Sequence, residues 1–261
     1  MAALFNDSYY RKKIENTKKF LENKKKILFI TTSNRWSGDE EQPKSSVLAL
    51  ILAEELGKDK VTIIDASSLT IHHCEGNVSR VNGNNCGVKS SLLKDDKKNP
   101  SGFHRCWASI NNKNDELWKI SKELFESDSV VFFGSIRWGQ MNAYYQKLIE
   151  RLNWIENRHT TLQEDNVVKN IEAGIIITGQ NWNAEEVLKT QKQVLKFYGF
   201  KTPEQLSWFW QFTSNEKDET KESYKKSPQK FQEIFKVKIK SISKTVEKLR
   251  NIIRENLKNI F

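Results

Sequence analysis

Three short polar segments carry the residues whose types and spacing could do chemistry. The first runs Thr32-Ser33-Asn34-Arg35-Trp36 and resumes, after a polar stretch, at Lys44-Ser45-Ser46. Hydroxyls, an arginine and the free N–H groups of a helix start together make a phosphate cradle. Ser45 also has a plainer reading, as the cap of that helix. The second segment is Gly134-Ser135-Ile136-Arg137-Trp138-Gly139-Gln140-Met141-Asn142-Ala143. An aromatic beside glycine offers a flat apolar face with exposed backbone amides, which suits the ring and the edge of a planar heterocycle. A tryptophan tucked under its own loop is the competing reading. The third segment, Thr178-Gly179-Gln180-Asn181-Trp182, again joins a hydroxyl, a glycine and an aromatic. No Walker pattern and no GxGxxG is present, which disfavours an ordinary nucleoside-triphosphate or Rossmann dinucleotide site.

Residues 72–114 hold Cys74, Cys86 and Cys106 together with His72, His73 and His104. The cysteines are separated by eleven and nineteen residues, without a CxxC. A cluster takes four thiolates, and a structural zinc site wants paired ligands at short spacing. No metal is therefore expected, and the cysteines read as buried or incidental residues of a variable lid. Their odd number does not suggest a disulfide framework.

The elements that must position these segments alternate. Apolar runs at 26–32, 61–65, 129–134 and 173–179 read as strands buried on both faces, and 206–212 as a fifth. Between them, helical spacing marks 45–56, 115–126, 144–152 and 184–198, the last stopped by Gly199. Such alternation predicts a parallel sheet with helices on both faces. Right-handed crossovers then bring every strand-to-helix loop to the carboxyl edge of the sheet, where ligands of such sheets bind. The three polar segments follow strands one, three and four, so they converge there. Residues 72–114 form a long polar insertion. From about Pro228, apolar residues at three- and four-residue steps predict one long amphipathic helix, and a basic helix is expected around 9–21.

The net charge of +10 invites a nucleic-acid reading, but its distribution argues otherwise. Residues 1–26 carry +5 and residues 201–261 carry +6, which leaves the body of the chain at −1. The basicity belongs to the two extensions, and no aromatic-interleaved nucleic-acid module accompanies it. The longest apolar run, seven residues from Val47 to Ala53, is far short of the ~20 that a membrane-spanning helix needs. A cytoplasmic protein with neither a nucleic-acid partner nor a membrane span is the expectation.

The helix after the second segment reads Lys147-Leu148-Ile149-Glu150-Arg151-Leu152. With it, the chain resembles the flavodoxin-like NAD(P)H-dependent FMN reductase family, which is related to the iron–sulfur flavoproteins. The resemblance rests on Ser33-Asn34-Arg35 as a Ser-x-Arg phosphate loop, on Ser135-Ile136-Arg137-Trp138-Gly139, on that helix, on Thr178-Gly179-Gln180-Asn181-Trp182 and on Gly199-Phe200-x-x-Pro203. The family's usual proline after strand three is Ile136 here, and the cluster cysteines are not retained.

The resemblance, which covers about residues 26–212, implies an α/β, three-layer flavodoxin-like fold. Its five-stranded parallel sheet would have the order 2-1-3-4-5, with FMN at the carboxyl edge. Carried over, Ser33, Arg35, Ser45 and Ser46 would hold the phosphate. Ile136, Arg137, Trp138 and Gly139 would line the isoalloxazine, with Thr178 and Gly179 on its other edge. The implied activity passes a hydride from NAD(P)H to flavin N5, and then reduces a small acceptor such as a quinone, a nitro- or azo-compound or free flavin. Arg137 is the candidate catalytic residue, as a fixed cation near the N1–C2 edge of the flavin. A homodimer is a further expectation from the resemblance. The expected divisions are 1–25, a basic N-terminal extension; 26–212, the FMN-binding domain; and 213–261, a linker and the C-terminal helix. An electron carrier that docks on a protein partner, and a flavin-free interaction protein on the same scaffold, are the alternatives.

Overall fold

The computed structural model describes residues 6–35, 41–57, 59–180, 182–213 and 216–236. Trp36, Asp39, Glu40, Asn181 and the part of the expected C-terminal helix beyond residue 236 lie outside the described residues. The chain begins with α1 (Asp7–Leu21), β1 (Ile27–Thr31), α2 (Lys44–Leu56) and β2 (Val61–Asp65). The insertion follows and contributes α3 (Trp107–Asn111). Next come α4 (Leu117–Glu126), β3 (Ser129–Arg137), β4 (Gln140–Met141) and α5 (Ala143–Thr160). The last elements are β5 (Glu172–Gly179), α6 (Ala184–Phe197), β6 (Trp208–Gln211) and α7 (Lys221–Phe235).

Five strands pair in parallel in the order β2-β1-β3-β5-β6, and the two-residue β4 hangs antiparallel from β3. Counting only the parallel strands, this is the expected 2-1-3-4-5 order of a flavodoxin-like sheet. Side chains alternate strictly between two cores. Leu28, Ile30, Val130, Phe132, Ile175 and Ile177 face α4, α5 and α6. Ile27, Phe29, Val131, Phe133, Ile176, Trp208 and Trp210 face α2 and the two extensions. At about 2 kcal/mol for each fully buried large side chain, both faces must be covered for the sheet to persist.

The basic extensions supply much of the second cover. Tyr10 and Leu21 of α1, and Phe231, Ile234 and Phe235 of α7, are buried against it. Thr17 in α1 donates to the Gln205 carbonyl (2.7 Å) and accepts from Trp208 Nε1 (2.9 Å), so the helix is hydrogen-bonded to the edge strand β6. Arg11 donates to the Ile234 carbonyl (3.1 Å), and Lys230 pairs with Asp7 (2.9 Å), tying the extensions to each other. The lysines occupy the outer faces of helices whose inner faces are core. The C-terminal helix starts earlier than its periodicity implies: Thr220 and Ser223 form a capping box, and Pro228 lies inside the helix. A reciprocal cap satisfies the first-turn donors and so selects the start.

The insertion is built onto α5 through one buried ion pair. Arg151 Nη1 reaches Asp115 Oδ2 at 2.7 Å, and neither side chain is exposed. The same guanidinium donates to the His72 carbonyl (2.7 Å) and to Ser109 Oγ (2.9 Å), so both ends of the insertion meet on it. Burial alone would raise the Asp115 carboxyl. The hydrogen bonds and charge of Arg151, with the His72 N–H and the Ser109 hydroxyl, instead hold it below the usual carboxylate range. A second anchor is Glu164, which takes Arg105 (2.8 Å) and Arg158 (3.1 Å). Among the described residues no helix is long and apolar enough to cross a membrane.

His104 is fully buried in the insertion, with Nδ1 2.8 Å from Ser121 Oγ. Burial, and then the Arg151 charge, push its pKa down to about 3, against the opposing pull of Asp115. Because the unfolded chain takes up this proton near pH 6.5 and the folded one does not, the stabilisation is complete above that pH. It is lost as pH falls toward 3, at up to ~1.4 kcal/mol per pH unit. Urea unfolding at pH 7 and pH 5 should show this loss in the native chain. In His104→Gln the loss should be smaller by the contribution of one titrating site.

Candidate functional site at the carboxyl edge

The loops after β1, β3 and β5 meet at one edge of the sheet, and Asn142 locks the end of β1 to β3. Its Oδ1 accepts from Thr32 Oγ1 (3.2 Å) and from the Ser135 N–H (3.1 Å), while its Nδ2 donates to the Thr32 carbonyl (2.7 Å). Gly134 makes room for this latch. A Cβ there would sit 2.3 Å from Met141 Cε and 3.2 Å from Asn142 Oδ1.

Above the latch lies a chain of three hydroxyls. Ser45 Oγ donates to Ser33 Oγ (2.8 Å), which donates to Ser135 Oγ (3.0 Å). Ser33 and Ser45 are buried, and Ser135 is the half-buried outer member. Ser45 is therefore not the helix cap. The N-cap position of α2 is Pro43, with no side-chain cap hydrogen bond, and Ser45 and Ser46 fall in the first turn. The first N–H groups of a helix have no intrahelical partner, so the start of α2 brings backbone donors to the carboxyl edge.

The charge at this helix start is positive, and Lys44, to which the motif reading gave no role, is its centre. Burial lowers its pKa to about 8, the Arg35 charge and more weakly that of Arg137 adding to the effect and Glu41 opposing it. Three cations thus share one electrostatic neighbourhood, with the Lys44 ammonium 5.9 Å from the centroid of the Trp210 ring. Arg35 also lies 3.9 Å from Glu41.

The segment after β3 is less of a loop than its sequence suggests. β3 continues to Arg137, which pairs with Gln140 of β4 across a two-residue turn made by Trp138 and Gly139. Both turn residues are left-handed, φ 51° and 69°. That backbone matches the twist of a tight hairpin but is unusual for a bulky residue. Trp138 is 86% exposed, so it projects from the hairpin and is not tucked beneath it. Asn183 donates to the Gly139 carbonyl (2.8 Å), and Trp182 lies next to Gly139, which joins this hairpin to the loop after β5.

The expected residues sort accordingly. Ser33, Ser45 and Ser46, with Arg35, surround the α2 start. Arg137, Trp138 and Gly139 form the hairpin rim. Ile136 turns its side chain into the inner core against Met141, leaving only backbone at that edge. Thr178 is buried and lies in register with Ser135, and Gly179 follows it at the end of β5. Among the described residues no group of three or more His, Cys, Asp or Glu is placed to hold a metal ion.

No family model matches the chain, and no curated protein matches it. Solved structures do. One is RosB with a bound 8-demethyl-8-formylriboflavin-5'-phosphate intermediate, 13% identical over 90% of this chain and 87% of that one, with a TM-score of 0.49. An azoreductase from Bacillus anthracis str. Sterne is 15% identical over 85% of this chain and 99% of that one, at 0.44. A flavone reductase is 14% identical over 86% of this chain and 64% of that one, at 0.43. At such identities the chemistry of this chain has to be read from its own residues.

Asn142→Ala should lower stability by ~2–4 kcal/mol in urea unfolding, because it strands the buried Thr32 carbonyl and Ser135 N–H. A cost below ~1 kcal/mol would show that the latch is dispensable.

Proposed function

We propose that this chain binds FMN at the carboxyl edge of its sheet and is an NAD(P)H-dependent oxidoreductase acting on a small acceptor: a quinone, a nitro- or azo-compound, or free flavin. One juxtaposition carries the reading. A helix start without a side-chain cap, in a neighbourhood of three cations, lies at the same sheet edge as a hairpin that presents a tryptophan. A phosphate monoester fits the first feature and a planar ring the second. The motif resemblance in the loops after β1, β3 and β5 supports the same pairing.

When bound, FMN supplies the redox chemistry, taking a hydride from nicotinamide and passing electrons on. The protein's share is binding and electrostatics. The first-turn N–H groups of α2 would receive the phosphate, with Lys44 and Arg35 neutralising its charge. Trp138, Gly139, Thr178 and Gly179 would border the ring. Arg137, at the rim, would hold positive charge near the edge of the ring where negative charge develops on reduction. If Arg137→Ala leaves flavin reduction by NAD(P)H unchanged, that role is wrong.

The deciding measurement is the visible absorption spectrum of the purified protein, followed by heat release of the ligand. Flavin bands with free FMN in the supernatant are expected. A colourless protein that also fails to take up added FMN would overturn the proposal. Lys44 gives the binding a pH signature. A lysine that ionises near pH 8 must gain a proton to face phosphate, so affinity should fall above pH 8, by up to about tenfold per pH unit. Titration of the apoprotein with FMN from pH 7 to pH 9.5 checks this. Lys44→Met should bind more weakly at pH 7 and lose most of the pH dependence.

A further inference from the structure

Two of the thiols in the insertion lie on segments that run side by side. Trp107 Nε1 donates to the Asn85 carbonyl (2.8 Å), and Arg105 Nη1 donates to the Gly87 carbonyl (3.3 Å). The neighbours of Cys106 on either side thus grip the neighbours of Cys86. Both thiols are half-buried and pack on the same core, and each sulfur accepts a weak bond from α5. Asn153 donates to Cys86 (3.8 Å), and Arg151 donates to Cys106 (3.4 Å). Cys74 differs: it is exposed, and its sulfur accepts from the Gly76 N–H (3.4 Å).

Burial pushes the Cys86 thiol up to about 11, against the Asn157 and Asn153 amides, and the nearby sulfurs of Cys106 and Cys74 add to the rise. The two bonds that flank Cys86 and Cys106, and their shared seat on the same core beside α5, bring the two thiols onto adjoining segments.

We propose that Cys86 and Cys106 are an oxidation site: a reversible disulfide that staples the two segments of the insertion together against α5. The oxidant is a peroxide. Cys106, as its thiolate, attacks a peroxide oxygen; the O–O bond breaks, the leaving hydroxide takes up a proton as water, and Cys106 becomes a sulfenic acid. The second sulfur displaces the sulfenic oxygen as another water, forming the S–S bond. Two thiols thus yield two protons and two electrons, and one hydrogen peroxide becomes two waters. A dithiol reductant reverses the change by exchange. In a reducing compartment such a bond is transient and reports on oxidant rather than holding the fold. Half-burial suits this role, because it admits a small oxidant while keeping the pair from bulky thiols. The site is independent of any flavin.

The test treats the full-length protein with hydrogen peroxide, then counts thiols in denaturant and maps linked peptides by mass spectrometry. The reduced chain should show its three thiols, and the oxidised chain one, that of Cys74, with a Cys86–Cys106 peptide pair about 2 Da lighter than the sum of its thiols. Cys74→Ser should fall from two thiols to none. Cys86→Ser and Cys106→Ser should each keep both remaining thiols, and dithiothreitol should restore all counts. Survival of all three thiols, overoxidation without a link, or a dominant link through Cys74 would each overturn the proposal.

Discussion

A parallel sheet with no solvent face sets the terms for the rest of this molecule. β1 and β3 bury side chains on alternate sides along most of their length, and β5 does the same. Neither side can be left wet without losing several kcal/mol of apolar burial. One side is closed by α4, α5 and α6 in the ordinary order of strand and crossover. The other has only α2 from the body of the fold, and the basic extensions complete it. The lysines of α1 and α7 thus lie on the outer faces of structural helices whose inner faces cover the sheet.

Covering both sides leaves the carboxyl edge as the place where backbone donors and polar side chains can face a ligand. Asn142 makes that edge one unit, joining the end of β1 to the turn of β3. Above it, the site divides into a cationic part at the start of α2 and an aromatic part at the Trp138 hairpin. The division matters for any ligand with a charged end and a flat end, because each part can be tuned without disturbing the other. The insertion answers to a different anchor. Arg151 lies on α5, on the side of the sheet that α4, α5 and α6 cover, and collects Asp115, Ser109, Cys106 and the His72 carbonyl. Removing one partner of such a pair would leave a buried charge uncompensated, a much larger cost than the pair's own net contribution.

Much of this was legible from local pattern. Strand and helix order followed from apolar runs and helical spacing, because each crossover except that from β2 to β3, which carries the insertion, is a local sequence of turn, helix and turn. The three polar segments did mark the edge. What the pattern could not show were pairings across long separations. Asn142 reads as an ordinary turn residue, and its partners lie as far back as Thr32. Arg151 stands in the helix motif Lys147–Leu152, and only the fold reveals Asp115 beside it. Lys44 stands in the first polar segment with no role of its own in the sequence reading. Its meaning depends on Arg35 and Arg137 being brought near it by two different loops. The helix at 221–235 begins with a capping box of Thr220 and Ser223, a signal weaker than the Thr–Glu form and easily passed over beside a proline.

The docking of α1 against α7 has a consequence in time as well as in space. The ion pair of Asp7 with Lys230 and the bond from Arg11 to the Ile234 carbonyl join the two ends of the described chain. During synthesis, α1 emerges more than 200 residues before α7, so this contact must form late. Until then Trp208, Trp210 and the outer row of the sheet have only part of their cover. Contacts of such sequence separation close late and slow the overall search. A nascent chain paused before α7 would carry an aromatic surface open to chaperones or to other chains, whereas the core on the α5 side would already be sealed.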